Sequence, residues 1–526
     1  MLGLTDCPLT ILVGVGAGYI FLRLLLHLTQ DPKEPPAVET TIPFVGPIVG
    51  MLTKKTDFYT HLRDEHRDLP MYTLRLPGSR IYVVNSLSMI PVVQRQIKTI
   101  AFTPIEAQAA DKVMGMSKAA NDILSTDMDA EGSYLSTFVK FIHPAVSPGP
   151  GLDALNRAAV EVISRSLDTS AQQANVSGGS ITVELFDFLR HEIFQATTEA
   201  IYGPENPMRC SKMERMWYKF EPGIMMLMLG LPWLVRHAYR AREAMIPVIE
   251  TYYARGGHKS GSMLAQCRYD HNTHHGLGPR DIACSEIGGV AASVTNTVPS
   301  AFWFAYHVLS DPVVLADCRV ELEELVTSGG HGRKAIDIAR VKNECPMLLS
   351  TWQEVLRVYS TGIAARVVLE DHFLDGRFLL KKGATVMMIN PVAHTDPTAW
   401  GLRALQFDHR RFLKGVTGGQ EGPHKSRSAF RPFGGGTTLC PGRHFASTEI
   451  LAFVALLILR FDVVPLEGRW KVPKQNGSMT SSLPMPGDKV MLRLVPRADD
   501  EEWDVTFSGS DKGLKVSAED MERGGE

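Results

Sequence analysis

Neither sign of charge prevails in this chain: 55 Lys and Arg stand against 57 Asp and Glu, a net charge of -2. Nothing therefore points to a nucleic-acid partner. Cysteine is scarce. The seven, at 7, 210, 267, 284, 318, 345 and 440, are odd in number and form no C-x-x-C pair. That excludes a disulfide framework and a spaced zinc site, and fits a reducing compartment. There are no internal repeats, and no low-complexity segment precedes the polar, acidic tail from residue 499. The first apolar run has no basic lead-in, which argues against a cleaved signal peptide. Present instead is 44% hydrophobic residues in 526, enough for a large core, in several domains or one large mixed one.

Residues 8–28 form an apolar run of the length a membrane-spanning helix needs. Arg23 and His27 lie near its end, where they can snorkel to a membrane surface. Asp6 precedes the run and Lys33 follows it, which places the main body in the cytosol. Pro32, Pro35, Pro36, Pro43 and Pro47 then make a stiff, non-helical connector. With this topology the sequons at Asn175 and Asn476 stay unmodified.

Residues 58–67 read as a helix, and 71–76 and 80–85 as strands flanking Pro77-Gly78. Residues 105–168 are mostly helical with a break at 144–151, and 183–202 are helical. A Met-rich stretch at 224–229 leads into Gly230-Leu-Pro-Trp233. It reads equally well as core or as an apolar loop dipping into a bilayer, with Arg236, Arg240 and Arg242 facing phosphate. Residues 282–309 form a long apolar helix that Pro299 can kink. The polar pair Asn296-Thr297 beside the kink either bonds the freed carbonyls or serves a function. In the helix 346–358, Glu354 and Arg357 are three apart on one face.

One stretch organises the rest: Phe433-Gly-Gly-Gly-Thr-Thr-Leu-Cys440-Pro-Gly-Arg443. Successive glycines let a backbone take positive φ or approach a flat ligand closely. Pro441 suits the first turn of a helix, and apolar residues recur at helical spacing to about Leu459. Cys440 thus meets a helix N-terminus, whose free N–H groups favour a thiolate. Such a thiolate is a candidate axial ligand for haem iron. A lone cysteine would more often be buried and inert, but here the whole string argues otherwise.

The string resembles the haem-binding signature of the cytochrome P450 superfamily, with Phe433, Gly436, Cys440 and Gly442 in its four positions. Thr438 stands where a basic partner of a haem propionate is usual. Glu354-x-x-Arg357 resembles the family's second signature. Phe407-Asp-His-Arg-Arg-Phe412 resembles its Phe-x-Pro-Glu-Arg-Phe, with Arg411 in the Arg position and His409 and Arg410 departing. The resemblance implies a buried structural network of Glu354, Arg357 and Arg411. It implies that Arg366 meets a haem propionate, that His394 is structural, and that residues 361–366 and 481–485 line the substrate cavity. Asn296-Thr297 matches the acid-threonine pair that relays protons toward dioxygen; Thr297 keeps the alcohol and Asn296 loses the acid. The string from Ala292 to Trp303, the Met-rich segment and Thr438 look like the branch of cholesterol 7α-hydroxylase and prostacyclin synthase.

The resemblance implies a mainly α (α+β) cytochrome P450 fold with an N-terminal transmembrane helix: anchor 1–30, hinge 31–48, haem domain 49–498 and a polar, disordered tail 499–526. It implies haem b on Cys440, and electrons from NADPH through a cytochrome P450 reductase, for which the basic stretch 424–431 offers a docking face. It implies a hydrophobic substrate (a steroid, terpenoid or other secondary metabolite) and a single-pass endoplasmic-reticulum protein of microsomal fungal type. The expected activity is a monooxygenase. The alternative is an isomerase or dehydratase acting on a peroxide, which would need neither external electrons nor the acid missing at 296.

Overall fold

The computed structural model describes residues 6–38, 40–128, 130–330, 333–413, 428–477, 481–497, 503–509 and 513–523, with backbone alone for 6–11, 522 and 523. The chain's contacts divide it into two compact units, both built of non-contiguous segments, where the sequence suggests one domain from 49 to 498.

The first unit takes Met1–Phe102, Thr361–Ala404 and Ser428–Thr438. Its centre is a five-stranded sheet in the order Met71–Leu76, Ser79–Val84, Thr385–Ile389, Ile363–Val368, Ile100–Ala101. The first two strands form the expected hairpin, whose turn needs Gly78 at a φ of 69°. Thr385–Ile389 then adds parallel to Ser79–Val84 and antiparallel to Ile363–Val368. Alternate residues point to opposite faces, and both faces are apolar. Met71, Tyr82 and Val84 pack on one side, and Tyr72, Leu74, Ile81 and Val83 on the other.

The N-terminal helix Asp6–Thr29 carries exposed Leu12, Ile20, Phe21, Leu24 and Leu28. Among the described residues it is the one helix long and apolar enough to cross a membrane, over Leu12–Thr29 with a mean hydropathy of 1.6. The proline connector is not free. The Thr73 amide donates to the Pro36 carbonyl at 2.8 Å and the Thr73 hydroxyl to the Pro35 carbonyl at 2.6 Å. Buried Glu34 accepts from the Tyr82 hydroxyl at 2.7 Å and pairs with Arg80 at 3.1 Å.

The second unit takes Thr103–Ser360, Leu405–Arg427 and Leu439–Glu526 and is mostly helical. Its central helix, Arg443–Arg460, buries every side chain from Glu449 to Arg460. Such all-round burial explains why its sequence is apolar on every face. It packs on the helices Pro150–Val176 and Thr297–Ser310.

Four local expectations shift. The segment read as a helix from 183 begins as a strand, Ile181–Glu184, and Glu184 caps the helix Leu185–Tyr202 by accepting from the Asp187 amide. Pro144 lies inside the helix Tyr134–Val146; the break falls at 147–149, and Pro150 opens the next helix. The long helix at 282–309 is two, Pro279–Val294 and Thr297–Ser310. Its break precedes Pro299 because a proline ring excludes the carbonyl four residues back, here that of Thr295. Finally, the tail read as polar and disordered is folded where it is described. Trp503–Thr506 pairs with Lys334–Asp337, and Phe507, Leu514 and Val516 are buried.

Glu449 makes stability pH-dependent. Its buried carboxylate accepts from the Thr197 hydroxyl, at 2.8 and 3.0 Å to the two oxygens. Burial pushes the carboxyl up to about 8 from 4.5, against the Thr197 bond, which lowers it. Between those values the folded chain keeps a proton that the unfolded chain releases. Stability therefore falls with rising pH across that window, by about 1.4 kcal/mol per unit. Glu449→Gln should change the urea midpoint little at pH 5 and raise it clearly at pH 8.5, by the equivalent of about 4 kcal/mol.

Candidate functional site

Cys440 sits just ahead of Gly442, which caps the helix Arg443–Arg460, so the helix starts two residues later than Pro441 suggests. The thiol still faces the helix start. Burial pushes its pKa up, while the amides of Gly442 and Arg443 and the Arg443 charge pull it down. Burial outweighs those contributions and the thiol stays above its ordinary value, so beside this helix start it would become a thiolate once a metal replaces its proton.

The loop before it needs its glycines. Gly434 and Gly436 have φ of 80° and 60°. A Cβ on Gly434 would stand 3.0 Å from the Thr438 carbonyl oxygen, and one on Gly436 would stand 3.2 Å from Gln94 Nε2. That amide nitrogen is buried without a hydrogen-bond partner. Around Gly442 nothing lies within 4 Å of a Cβ. Phe433 is half-buried.

Within the first unit, two predicted cofactor residues meet. Arg366, on the strand Ile363–Val368 opposite Val386, donates to the Thr438 hydroxyl and, at 2.7 Å, to the Ala365 carbonyl. Its guanidinium lies 5.2 Å from the Phe102 ring centre. His394 Nε2 accepts from the Arg431 amide at 2.8 Å, a structural role as expected. Of the basic stretch 424–431, residues 424–427 lie outside the described residues, and Ser428, Phe430 and Arg431 are buried. The described part is therefore no docking face.

Within the second unit, Glu354, Arg357 and Arg411 come together. Glu354 is fully buried and accepts from Arg357 at 2.7 and 2.8 Å, from Arg411 Nε at 3.0 Å and from the Asp408 amide at 3.0 Å. Both arginines also donate to the Gln406 carbonyl, at 3.2 and 2.9 Å. The departures His409 and Arg410 have a shared partner: Asp317 accepts from them at 3.0 and 2.6 Å. Those two bonds hold the Asp317 carboxyl below its usual range.

Asn296 and Thr297 lie side by side at the break in the long helix, but they do different things. The Thr297 hydroxyl donates to the Ser293 carbonyl at 2.7 Å, as a kink-satisfying side chain does. Asn296 Oδ1 instead accepts from the Ser482 amide at 2.7 Å and the Ser481 hydroxyl at 3.3 Å. It ties the turn at 481–483 to the helix break. Trp303 Nε1 adds a bond to the Pro484 carbonyl at 2.7 Å.

Of the apolar loop, Leu229, Trp233 and Leu234 are more than half exposed, and Arg236 and Arg240 are exposed beside them. Arg242, expected to face phosphate, is buried and donates to the carbonyls of Lys112 and Val113.

Among the described residues no group of three or more His, Cys, Asp or Glu side chains is arranged to hold a metal ion by itself. A single soft sulfur at a helix start, following a glycine-rich loop, is a donor of the kind a haem-thiolate protein uses. The chain belongs to the cytochrome P450 family, whose model matches residues 36–492. It is 35% identical over 495 residues to the cytochrome P450 monooxygenase nodJ of Hypoxylon pulicicidum, covering 91% of this chain and 94% of that one. It is 25% identical over 494 residues to cytochrome P450 7B1 of Mus musculus, covering 91% and 94%. It is 23% identical over 490 residues to cholesterol 7-alpha-monooxygenase of Cricetulus griseus, covering 89% and 93%. The chain is thus a cytochrome P450 monooxygenase, similar also to the cholesterol 7α-hydroxylases that its distal-helix string resembles, and haem is its cofactor.

Proposed function

We propose that the chain inserts one oxygen atom of dioxygen into a bulky hydrophobic molecule, a steroid, terpenoid or other secondary metabolite, at the endoplasmic-reticulum membrane. Electrons come from NADPH through a reductase. The haem supplies the activation of dioxygen when bound. One atom enters the substrate and the other leaves as water, which consumes two electrons and two protons. Cys440 Sγ would be the iron's ligand. Arg366, the Thr438 hydroxyl and the Gln94 amide would hold the haem's carboxylates, and Phe433, Gly436 and Gly442 would shape the loop against it. Thr297 Oγ1 holds its proton on the Ser293 carbonyl at the helix break; turned from Ser293, the hydroxyl would pass one proton on as it accepts another from water. Asn296 carries no acid; it fixes the 481–483 turn. Glu354, Arg357 and Arg411 keep the fold around the haem.

The observation that carries the substrate class is the exposed apolar turn of Leu229, Trp233 and Leu234. In water such a turn is costly. Against a bilayer, it gives access to molecules dissolved in lipid. The hamster relative is named for cholesterol, which supports the same class.

The test compares extracts of cells with and without the intact gene, grown under heavy-isotope dioxygen. The expected result is a lost, lipid-soluble metabolite bearing one labelled oxygen absent from an accumulating precursor. A small polar precursor would overturn the substrate class. A precursor and product of equal mass without label would move the activity to an isomerase.

A further inference from the structure

The family match ends at residue 492, yet the chain beyond it reaches back to the cysteine loop. Leu514, Val516 and Ser517 are buried in the second unit. The Leu514 amide donates to His444 Nδ1 at 3.2 Å, and Gln353 donates to the Lys515 carbonyl at 2.5 Å. A Cβ on Gly513 would stand 2.6 Å from His444 Cε1, so the approach there is as close as a backbone can make it.

Asp520 is the centre of this contact. It accepts from Arg443 Nε at 2.9 Å and from Arg443 NH2 at 2.7 Å, a bidentate pair with both side chains nearly buried. The third Arg443 nitrogen donates to the Cys440 carbonyl at 3.0 Å. The Ser517 hydroxyl donates to Asp520 Oδ2 at 2.8 Å. Because His444 Nδ1 accepts, its Nε2 carries the proton and faces Asp520 Oδ1 at 3.6 Å. One carboxylate thus holds the side chain that holds the cysteine's own backbone.

We propose that the segment 513–523 is a clasp on the thiolate loop, and that Asp520 is a positioning residue that sets the charge felt at Cys440 by neutralising Arg443. This rests on Cys440 being the iron's ligand. An arginine bonded to the peptide of that ligand is a positive charge beside the metal site, and in a buried setting it acts at little-screened strength. A bare cation there favours the reduced metal, whereas a paired one does so much less. Groups around the sulfur are among the levers that set the potential of such a centre.

The experiment uses the full chain loaded with haem, as wild type, Asp520→Asn, Asp520→Glu and Ser517→Ala. Haem content, the red-shifted band of the reduced carbon-monoxide complex and the midpoint potential are measured for each. Asp520→Asn should shift the potential to a more positive value, Ser517→Ala should shift it less in the same direction, and Asp520→Glu should restore it. A haem-loaded Asp520→Asn with an unchanged or more negative potential overturns the clasp's role, whatever its thermal stability. Should Asp520→Asn fail to take up haem, Ser517→Ala decides by the same criterion. A wild type without the red-shifted band would overturn the ligand assignment instead, so the two failures are told apart.

Discussion

Replacing Cys440 with alanine should abolish the red-shifted band of the reduced carbon-monoxide complex, and most bound haem with it. The chain offers the metal one soft donor at this loop, and alanine leaves nothing to take its place. The Gly442 and Arg443 amides, which favour a thiolate there, would be left beside a methyl group. The rest of the helix is anchored independently of the sulfur, since its side chains from Glu449 to Arg460 are buried. The apo-protein should therefore remain folded, with a far-ultraviolet circular dichroism spectrum like that of the apo wild type. The measurement is the reduced carbon-monoxide difference spectrum together with total haem per chain. A band that persists in Cys440→Ala would mean that another residue ligates the iron.

Arg357→Ala should leave little soluble, haem-loaded protein. Glu354 is fully buried, and Arg357 supplies two of its closest bonds. Removing one partner of a buried pair costs about 3–5 kcal/mol, because the remaining charge stays out of water. A whole domain is stable by only about 5–15 kcal/mol. Arg411 remains, but its Nε is already committed to Glu354 and its NH2 to the Gln406 carbonyl. Arg357→Lys should not rescue, since an ammonium cannot reach both carboxylate oxygens and Gln406 in the same fork. Yield of haem-loaded protein and the thermal midpoint check this. Wild-type values for both would show that the cluster does not hold the fold.

These two sites were also the most legible. The cysteine string carries its own spacing, and Glu354 and Arg357 share a helical face by arithmetic alone. What the sequence could not disclose lies far along the chain. Asp317, which explains His409 and Arg410, is 92 and 93 residues from them. Ser481 and Ser482, which occupy the Asn296 carbonyl, are 185 and 186 residues away. A pattern of neighbours carries no information about such pairs. The C-terminal segment failed for a different reason. Phe507, Leu514 and Val516 are isolated apolar residues in a polar stretch, and periodicity methods see faces rather than single anchors. Nothing in a polar, acidic tail sets Asp520 apart from its neighbours. The position of Pro299 was readable, but the break three residues upstream required the geometry of the ring against the preceding turn.

The proline connector changes what the N-terminal helix can do. Its carbonyls at Pro35 and Pro36 are bonded to Thr73 in the first sheet strand, and Arg75 reaches the end of the helix at the Thr29 hydroxyl. A helix joined this way is a bracket and not a tether. Its tilt passes to the sheet within a few residues. A transmembrane helix adjusts its tilt to the thickness of the bilayer around it. Lipid chain length and sterol content would then set the pitch at which the sheet, with Arg366 on it, stands to the membrane plane. For a chain anchored in a bilayer by this helix, the thickness of that bilayer would be a physical input to the enzyme, independent of how much substrate the lipid dissolves.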